Sequence, residues 1–369
     1  MELSFYTQKR VYCVIDNNKL DLFLNFKYPI LNHCTNESIE NDIIHNITFG
    51  KCPICKSIQL INLINPDLLY SYPNKHELTP LWINHHKTFV DFIKTNINIY
   101  DKKICEIGGG NNGLFIFLSN IKQYTILDLY EPINKLDTIE YKIGNCESYN
   151  KYNEDILILS HTFEHLYNPL EFIKTVKNTK IEHIFISVPN MKAMIELDTN
   201  MSVVFTEHTF YFEKEDIIYM FEQNGFICSI IEEFNTHSLF FYFKKSNINI
   251  KKDLLIKNFA MNKLETIYKK RLTKVNIEID TPIYIMPSHY IGQAAYLSII
   301  NTSNIIGFLD NDTNKIGQRL YGTPLYIQHP DIIKDIECTI LLVNNPYYDE
   351  MYKQLQTINP NINIILFKL

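Results

Sequence analysis

The stretch Lys103-Ile-Cys-Glu-Ile-Gly-Gly-Gly-Asn-Asn-Gly113 limits what this chain can fold into more than any other. Ile104 and Ile107 around Cys105 and Glu106 predict a short buried strand. The glycines predict a tight turn, and Leu114-Phe-Ile-Phe-Leu118 predicts the opening of a helix. Strand, glycine turn and helix together make a backbone cradle for part of a nucleotide-like cofactor. The spacing departs from a strict G-x-G-x-x-G. Counted from Gly108 the third glycine falls due at Gly113 and is present, but Gly109 is surplus. With only 11 glycines in 369 residues, a cluster of this kind is informative.

The residues beyond the loop extend the pattern. Gln123-Tyr-Thr-Ile-Leu-Asp128 predicts a strand ending in an acid, at the distance where a ribose-binding carboxylate belongs in a nucleotide-binding sheet. Tyr141-Lys-Ile-Gly-Asn145 predicts a third strand end, with Asn145 placed to meet an adenine amine. Asp155-Ile-Leu-Ile-Leu-Ser160 and Glu182-His-Ile-Phe-Ile-Ser-Val-Pro189 read as buried parallel strands, apolar without alternation. Strands alternating with helices predict an α/β chain with a doubly wound, Rossmann-like sheet and its ligand at the carboxyl ends of the strands.

Length allows more than one core, and three segments are expected: 1–80, 81–245 and 246–369. In the first, Cys52-Pro-Ile-Cys55 has the spacing that brings two thiolates to one tetrahedral zinc, and Cys13-Val-Ile-Asp16 resembles a second knuckle whose last thiol is a carboxylate. Cys13, Cys52 and Cys55 supply three ligands, with Asp16, Cys34 or His33 open as the fourth. The competing reading is a set of buried thiols without metal. Leu81 to Ile93 has helical apolar spacing and leads into the central segment. Residues 246–275 read as a helical linker. Pro282-Ile-Tyr-Ile-Met286, a polar turn, a helix from Gln293, Ile305 to Asp312 and Thr339 to Val343 predict a second, smaller α/β domain, whose first turn lacks glycines for a phosphate.

A net charge of −6 and scattered lysine pairs exclude a general nucleic-acid binder. No apolar run reaches the length of a membrane span. The start of the sequence lacks a secretory pattern, and the eight cysteines are dispersed, so a reducing, cytoplasmic setting is expected.

Two groups of residues are suited to chemistry. Ser160-His161-Thr-Phe-Glu164-His165 follows a strand directly, which disfavours the H-x-x-E-H zinc-peptidase reading because that signature needs both histidines on one helix. Here His165 is expected to face the crevice, and Glu164 has a plain alternative as a cap of the next helix. Phe205-Thr-Glu207-His208-Thr-Phe-Tyr211-Phe212 places a carboxylate beside an imidazole among aromatics, which suits an orientable base; a satisfied core histidine is its bland alternative.

In this order along nearly the whole chain, these motifs resemble the three-domain sugar C-methyltransferases that use S-adenosylmethionine. Cys13–Asp16 and Cys52–Cys55 sit where that family has its two CxxC pairs. Glu106–Gly113 resembles its E-x-G-x-N-x-G loop, Phe163-Glu-His165 its loop after strand four, Thr206–Phe212 its E-H-x-x-Y-F signature, and Gly307–Asp312 with Lys315–Gly317 its last domain. The resemblance implies a nucleotide-linked sugar substrate and a structural zinc. It also implies His208 as the base at the sugar carbon, with Glu207 and His165 orienting it or stabilising an enolate oxygen. Glu106, Gly108, Gly110, Asn112, Asp128, Asn145 and Ser160 are the expected cofactor residues. Three positions depart from the family: Asp16 replaces a cysteine, Phe205 a tyrosine, and Met286-Pro-Ser-His289 a glycine-rich turn. Sugar O-methylation, an inactive binding subunit and, least favoured, a dehydrogenase are the rival expectations.

Overall fold

The computed structural model describes residues 5–31, 33–70, 80–110, 113–197, 207–247, 263–264, 266–267, 269, 273–345 and 347–368. The chain divides into two compact units. One comprises Met1–Phe23, Phe49–Met194 and Glu207–Asn258; the other comprises Leu24–Thr48, Ile195–Thr206 and Phe259–Leu369. The expected segment 1–80 is therefore shared, residues 24–48 joining the C-terminal chain. The expected linker 246–275 falls largely outside the described residues.

Ahead of the central sheet come β1 (Tyr6–Lys9), β2 (Asp21–Pro29), β3 (Cys34–Thr35), β4 (Ile44–Lys51), β5 (Ile58–Leu60) and β6 (Asn62–Ile64), then a single helical turn α1 (Pro66–Leu69) and the long helix α2 (Pro80–Asn96). β1 pairs with β6, and β5 with the end of β4, both antiparallel.

The central sheet of the first unit contains β7 (Lys103–Ile107), β8 (Gln123–Asp128), β9 (Ile139–Ile143), β10 (Ile156–Ser160) and β11 (His183–Pro189), interleaved with α3 (Pro169–Lys177) and α4 (Met191–Leu197). The short β12 (Phe210–Tyr211) and helix α5 (Lys214–Glu222) precede its last two strands, β13 (Phe226–Phe234) and β14 (Ser238–Lys245). Its order is β13-β14-β11-β10-β7-β8-β9. The five strands β7 to β11 are parallel, whereas β14 runs antiparallel to both β11 and β13. This is the doubly wound α/β sheet expected from the sequence, closed at one edge by a reversed hairpin that an all-parallel dinucleotide sheet lacks.

Every residue from Ile156 to Leu159 is fully buried, because helices cover both faces. Alternation assigns the sides. Phe240 and Tyr242 of β14 pack with Phe89, Val90, Phe92 and Ile93 of α2, together with Ile104, Ile156 and Phe185. Phe243, one position on, stacks at 4.2 Å on Phe221 of α5. Each such buried side chain contributes roughly 1.5–3 kcal/mol by its transfer from water.

One expectation is corrected here. Leu114–Leu118 does not open an α-helix: Phe115–Phe117 makes one 3-10 turn, and Leu118 is already extended. Asn120 then turns left-handed at φ 59° and the chain enters β8 at Gln123. Too few residues separate Gly113 from β8 for a packed helix and its return, so α2, which precedes β7, covers that face instead.

In the second unit, β15 (Ile283–Met286), β16 (Ile305–Leu309), β18 (Ile327–Gln328), β19 (Thr339–Val343) and β20 (Asn363–Phe367) form a parallel sheet of order β18-β16-β15-β19-β20. The helix after β15 spans Tyr290–Ser298, three residues ahead of the expected start at Gln293, because His289 is its N-cap. A helix, Tyr348–Ile358, and β20 extend the domain beyond the last strand read from sequence. A short β17 (Arg319–Leu320) pairs with β3, and Arg319 forms a buried two-pronged pair with Asp42 at 2.6 and 2.7 Å. Among the described residues, no helix is long and apolar enough to cross a membrane.

Candidate functional site

The sheet order puts a switch point between β7 and β10, where the crossovers depart to opposite sides and a crevice opens at the carboxyl ends. The glycine loop follows β7 and Ser160-His161-Thr162 follows β10, so this topology brings the two motifs together. Thr162 Oγ1 donates to the Ile107 carbonyl at 3.1 Å. Gly108 has φ 72°, and a Cβ there would fall 2.6 Å from that same hydroxyl, so a side chain at this point is excluded twice.

Glu106 organises the loop from beneath. Its carboxylate accepts from the Tyr124 hydroxyl at 2.5 Å and the Leu114 N–H at 2.9 Å. Burial pushes its pKa up to about 7 despite those two donors. Gly110 N–H donates to Asp128 Oδ2 at 3.1 Å, so the acid at the end of β8 faces the loop. Asn145 is exposed, and its side-chain oxygen accepts from Glu147 N–H at 2.9 Å, which leaves its amide hydrogens for a ligand acceptor. Ser160 sits at the tip of β10 with its buried hydroxyl unpartnered. Asn112 lies outside the described residues.

On the other side of Thr162 the chain makes a 3-10 turn, Phe163–His165, and not the helix a zinc peptidase needs. Glu164 is correspondingly not a cap: α3 begins at Pro169 with Asn168 before it. The Glu164 carboxylate is fully buried and neither oxygen has a hydrogen-bond partner. His161 Nδ1 lies 3.5 Å from it and His165 Nε2 3.9 Å. Burial raises its pKa to about 7, against the opposing effect of the nearby His165.

The Glu207–His208 motif closes over His165. The two imidazole rings are perpendicular at 5.1 Å, and His208 is buried. Glu207 Oε2 is 3.8 Å from His165 Nδ1, so its carboxylate serves His165. The Tyr70 hydroxyl lies 3.1 Å from the same nitrogen. Burial raises Glu207 to about 7 and lowers His165. His165, Glu207 and His208 are thus brought together; Phe205 lies outside the described residues.

Several contributors were not read from sequence. Tyr70 follows a short turn with no motif of its own. His161, held at φ 50°, joins His85, His86 and His237 around Trp82, with ring centres 4.8 to 5.8 Å from the indole. The spacing Trp82, His85, His86 on one helix was the available signal for this group. Arg10 is buried and donates to the carbonyls of Thr209, Tyr167 (2.8 Å) and Leu60 (3.4 Å). It therefore ties together the loops that carry His208 and His165. Replacing Arg10 with Met is expected to cost about 3 kcal/mol, since hydrogen bonds from a charged donor are lost, and urea denaturation with both proteins measures it.

Cys13, Asp16, Cys52 and Cys55 offer four ligand atoms, all within 4.8 Å of one another. Of the three fourth-ligand candidates, the cluster contains Asp16 and neither Cys34 nor His33. Cys13 Sγ is 3.6 Å from Cys55 Sγ, and Asp16 Oδ2 is 3.2 Å from Cys52 Sγ. The donor set fits a tetrahedral zinc ion. Thiol donors from Cys13 and Cys55 favour the Cys52 thiolate. This cluster is joined to the Glu207–His208 motif by strand pairing and by hydrogen bonds. Gln59 Nε2 donates to Cys13 Sγ at 2.9 Å, and β5, which carries Gln59, pairs antiparallel with β12. Leu60 N–H donates to the Thr209 carbonyl at 2.9 Å.

No protein-family model matches the chain. No curated protein matches it at a significant level. Among solved structures it is similar to the magnesium protoporphyrin IX methyltransferase ChlM of Synechocystis PCC 6803 with bound SAH, at 13% identity and a TM-score of 0.37, over 47% of this chain and 90% of that one. It is also similar to the N-methyltransferase NodS of Bradyrhizobium japonicum WM9 in complex with S-adenosyl-L-homocysteine, at 10% identity and a TM-score of 0.36, over 47% of this chain and 91% of that one. The α/β, Rossmann-like character of the central sheet rests on its own strand order, and the solved structures named beside it are methyltransferases.

Proposed function

We propose that the chain is an S-adenosylmethionine-dependent methyltransferase that acts on a nucleotide-linked sugar, at a carbon beside a ketone. The observation that carries this reading is the adjacency of a glycine cradle backed by Glu106 and Asp128 to a half-buried His165–Glu207 pair beside the buried His208, with Thr162 between them. S-adenosylmethionine, when bound, supplies an electrophilic methyl group. Gly108 and Gly110 would line its methionine end, Asp128 would accept from the ribose, and Asn145 and Ser160 would complete the pocket.

His208 then takes the proton from the carbon next to the carbonyl, a step worth about 10²–10⁴ in rate for a positioned base. His165, held at Nδ1 by the Tyr70 hydroxyl, would position the His208 ring that it meets edge to face. Holding donor and acceptor carbons in line is a positioning task. Incubation with labelled cofactor and a panel of keto- and hydroxy-sugar nucleotides tests the reading. Cofactor binding without transfer to any of them would refute it, whereas no cofactor binding at all would favour an inactive binding subunit. Phe205 in place of a tyrosine favours a second reading, O-methylation. Mass spectrometry after ether cleavage separates the two, because only an O-methyl group is lost.

Zinc at Cys13, Asp16, Cys52 and Cys55 would be structural, since the methyl step needs no metal. Chelation is expected to lower the melting temperature by several degrees, and Asp16→Ala to lower the metal content of purified protein below one zinc per chain. Unchanged melting in a strong chelator would favour metal-free thiols. The dispersed free thiols and this thiolate cluster suit a reducing, cytoplasmic compartment.

A further inference from the structure

We infer that Glu164, His165 and His208 form a second divalent transition-metal site, separate from the cysteine cluster, and that its occupancy silences His208 as a base. The three side chains each offer one ligand atom, and these atoms lie within 4.8 Å of one another. Two imidazoles and one carboxylate are a donor set for zinc, cobalt or nickel ions, with coordination positions left open.

Glu164 provides the independent observation. Its carboxylate is fully buried and both oxygens are without a hydrogen-bond partner. Buried polar groups are nearly always satisfied, and with His161 Nδ1 at 3.5 Å and His165 Nε2 at 3.9 Å both beyond a good hydrogen bond, an ion between the carboxylate and the imidazoles would complete it. The surroundings of His165 set the orientation. Its Nδ1 lies between the Tyr70 hydroxyl at 3.1 Å and Glu207 Oε2 at 3.8 Å, while Nε2 faces Glu164 at 3.9 Å. A proton on Nδ1, donated to the Tyr70 hydroxyl with the Glu207 carboxylate beyond it, leaves the Nε2 lone pair directed at the Glu164 carboxylate. Outer hydrogen bonds of this type fix the tautomer of a metal-binding imidazole.

A metal ion and a substrate proton would compete for the same lone pair on His208. The site therefore takes a cation or acts as a base, and not both at once. The inhibitory half of this inference rests on His208 being the base; the binding half does not.

The test uses full-length protein freed of metal by chelation and titrated with Co²⁺. A cysteine-bound ion is marked by thiolate charge-transfer absorption. An ion at Glu164 has no thiolate, and it quenches Trp82, the single tryptophan, which meets the His161 ring beside Glu164 edge to face at 4.8 Å. We expect one equivalent that quenches Trp82 without adding thiolate absorption. Glu164→Gln is expected to weaken that equivalent at least about 10-fold, the lower end of the effect of losing a supporting group. It should leave the thiolate band, the circular dichroism and cofactor affinity unchanged. Quenching with wild-type affinity in Glu164→Gln, or thiolate-only binding in the wild type, would overturn the site. Methyl transfer undiminished by saturating Zn²⁺ would overturn the inhibitory half alone. Absence of transfer under every condition would remove the proposed function and leave the metal titration as a valid measure of the site.

Discussion

On the proposed function, replacing His208 with Asn is expected to lower the turnover of methyl transfer by about 10²–10⁴ and to leave cofactor affinity within about twofold. Asparagine keeps a polar group of similar size among the buried aromatics, so the loss reports the missing base and not a collapsed pocket. Two features make the effect large. His208 is buried and perpendicular to His165 at 5.1 Å, so no neighbouring water can readily replace it. The residues that follow it are held, Thr209 by Arg10 and β12 by the Gln59 strand, so its position does not depend on the substrate. Initial rates and calorimetry on the same preparations separate the terms. A variant that keeps more than about a tenth of the turnover would show that another group removes the proton.

Gly113→Ala is expected to destabilise the protein by about 4 kcal/mol and to abolish cofactor binding. Roughly 1–3 kcal/mol comes from forcing an alanine into left-handed backbone at φ 53°. A similar amount comes from overpacking, since the new Cβ would fall 1.7 Å from Glu106 Oε2. The carboxylate has no room to retreat: it is buried under the loop and held by Tyr124 and the Leu114 N–H. Displacing it frees the turn whose Gly110 N–H meets Asp128. Thermal unfolding measures the first effect and calorimetry with S-adenosylmethionine the second. Wild-type affinity in a folded Gly113→Ala protein would remove Glu106 from its supporting role.

The parts of the fold that were legible are those written in local pattern. Ile156–Leu159 could only be a strand covered on both faces, and Gln123–Asp128 was bounded to the residue by its polar ends. The missing helix after Gly113 was not legible, because Leu114–Leu118 has the apolar content of a helix and only the shortness of the link to β8 forbids one. The site divides in the same way. Glu106 and Asp128 are set by their distance from the glycines, so spacing located them. Glu164 was ambiguous because a carboxylate five residues before Pro169 reads equally well as a cap, and only the packing of the 3-10 turn buries it. Tyr70 and Arg10 reach the site through tertiary contacts and have no periodicity to betray them. Glu207 and His208 were read as a pair because they are adjacent, but the carboxylate lies 3.8 Å from His165 Nδ1, a contact that adjacency in sequence does not show.

The pairing of β12 with β5 has a consequence for how such a protein can be divided or inherited. The strand that follows His208 is separated from the cysteine cluster by more than one hundred residues of sequence, yet it belongs to the same small sheet as Gln59. Exchanging N-terminal lobes between related chains would thus leave the base motif paired to a foreign strand. Residues 1–23, 49–64 and 207–212 fall in one compact unit, so a chimera is expected to fold best when all three pieces come from the same parent.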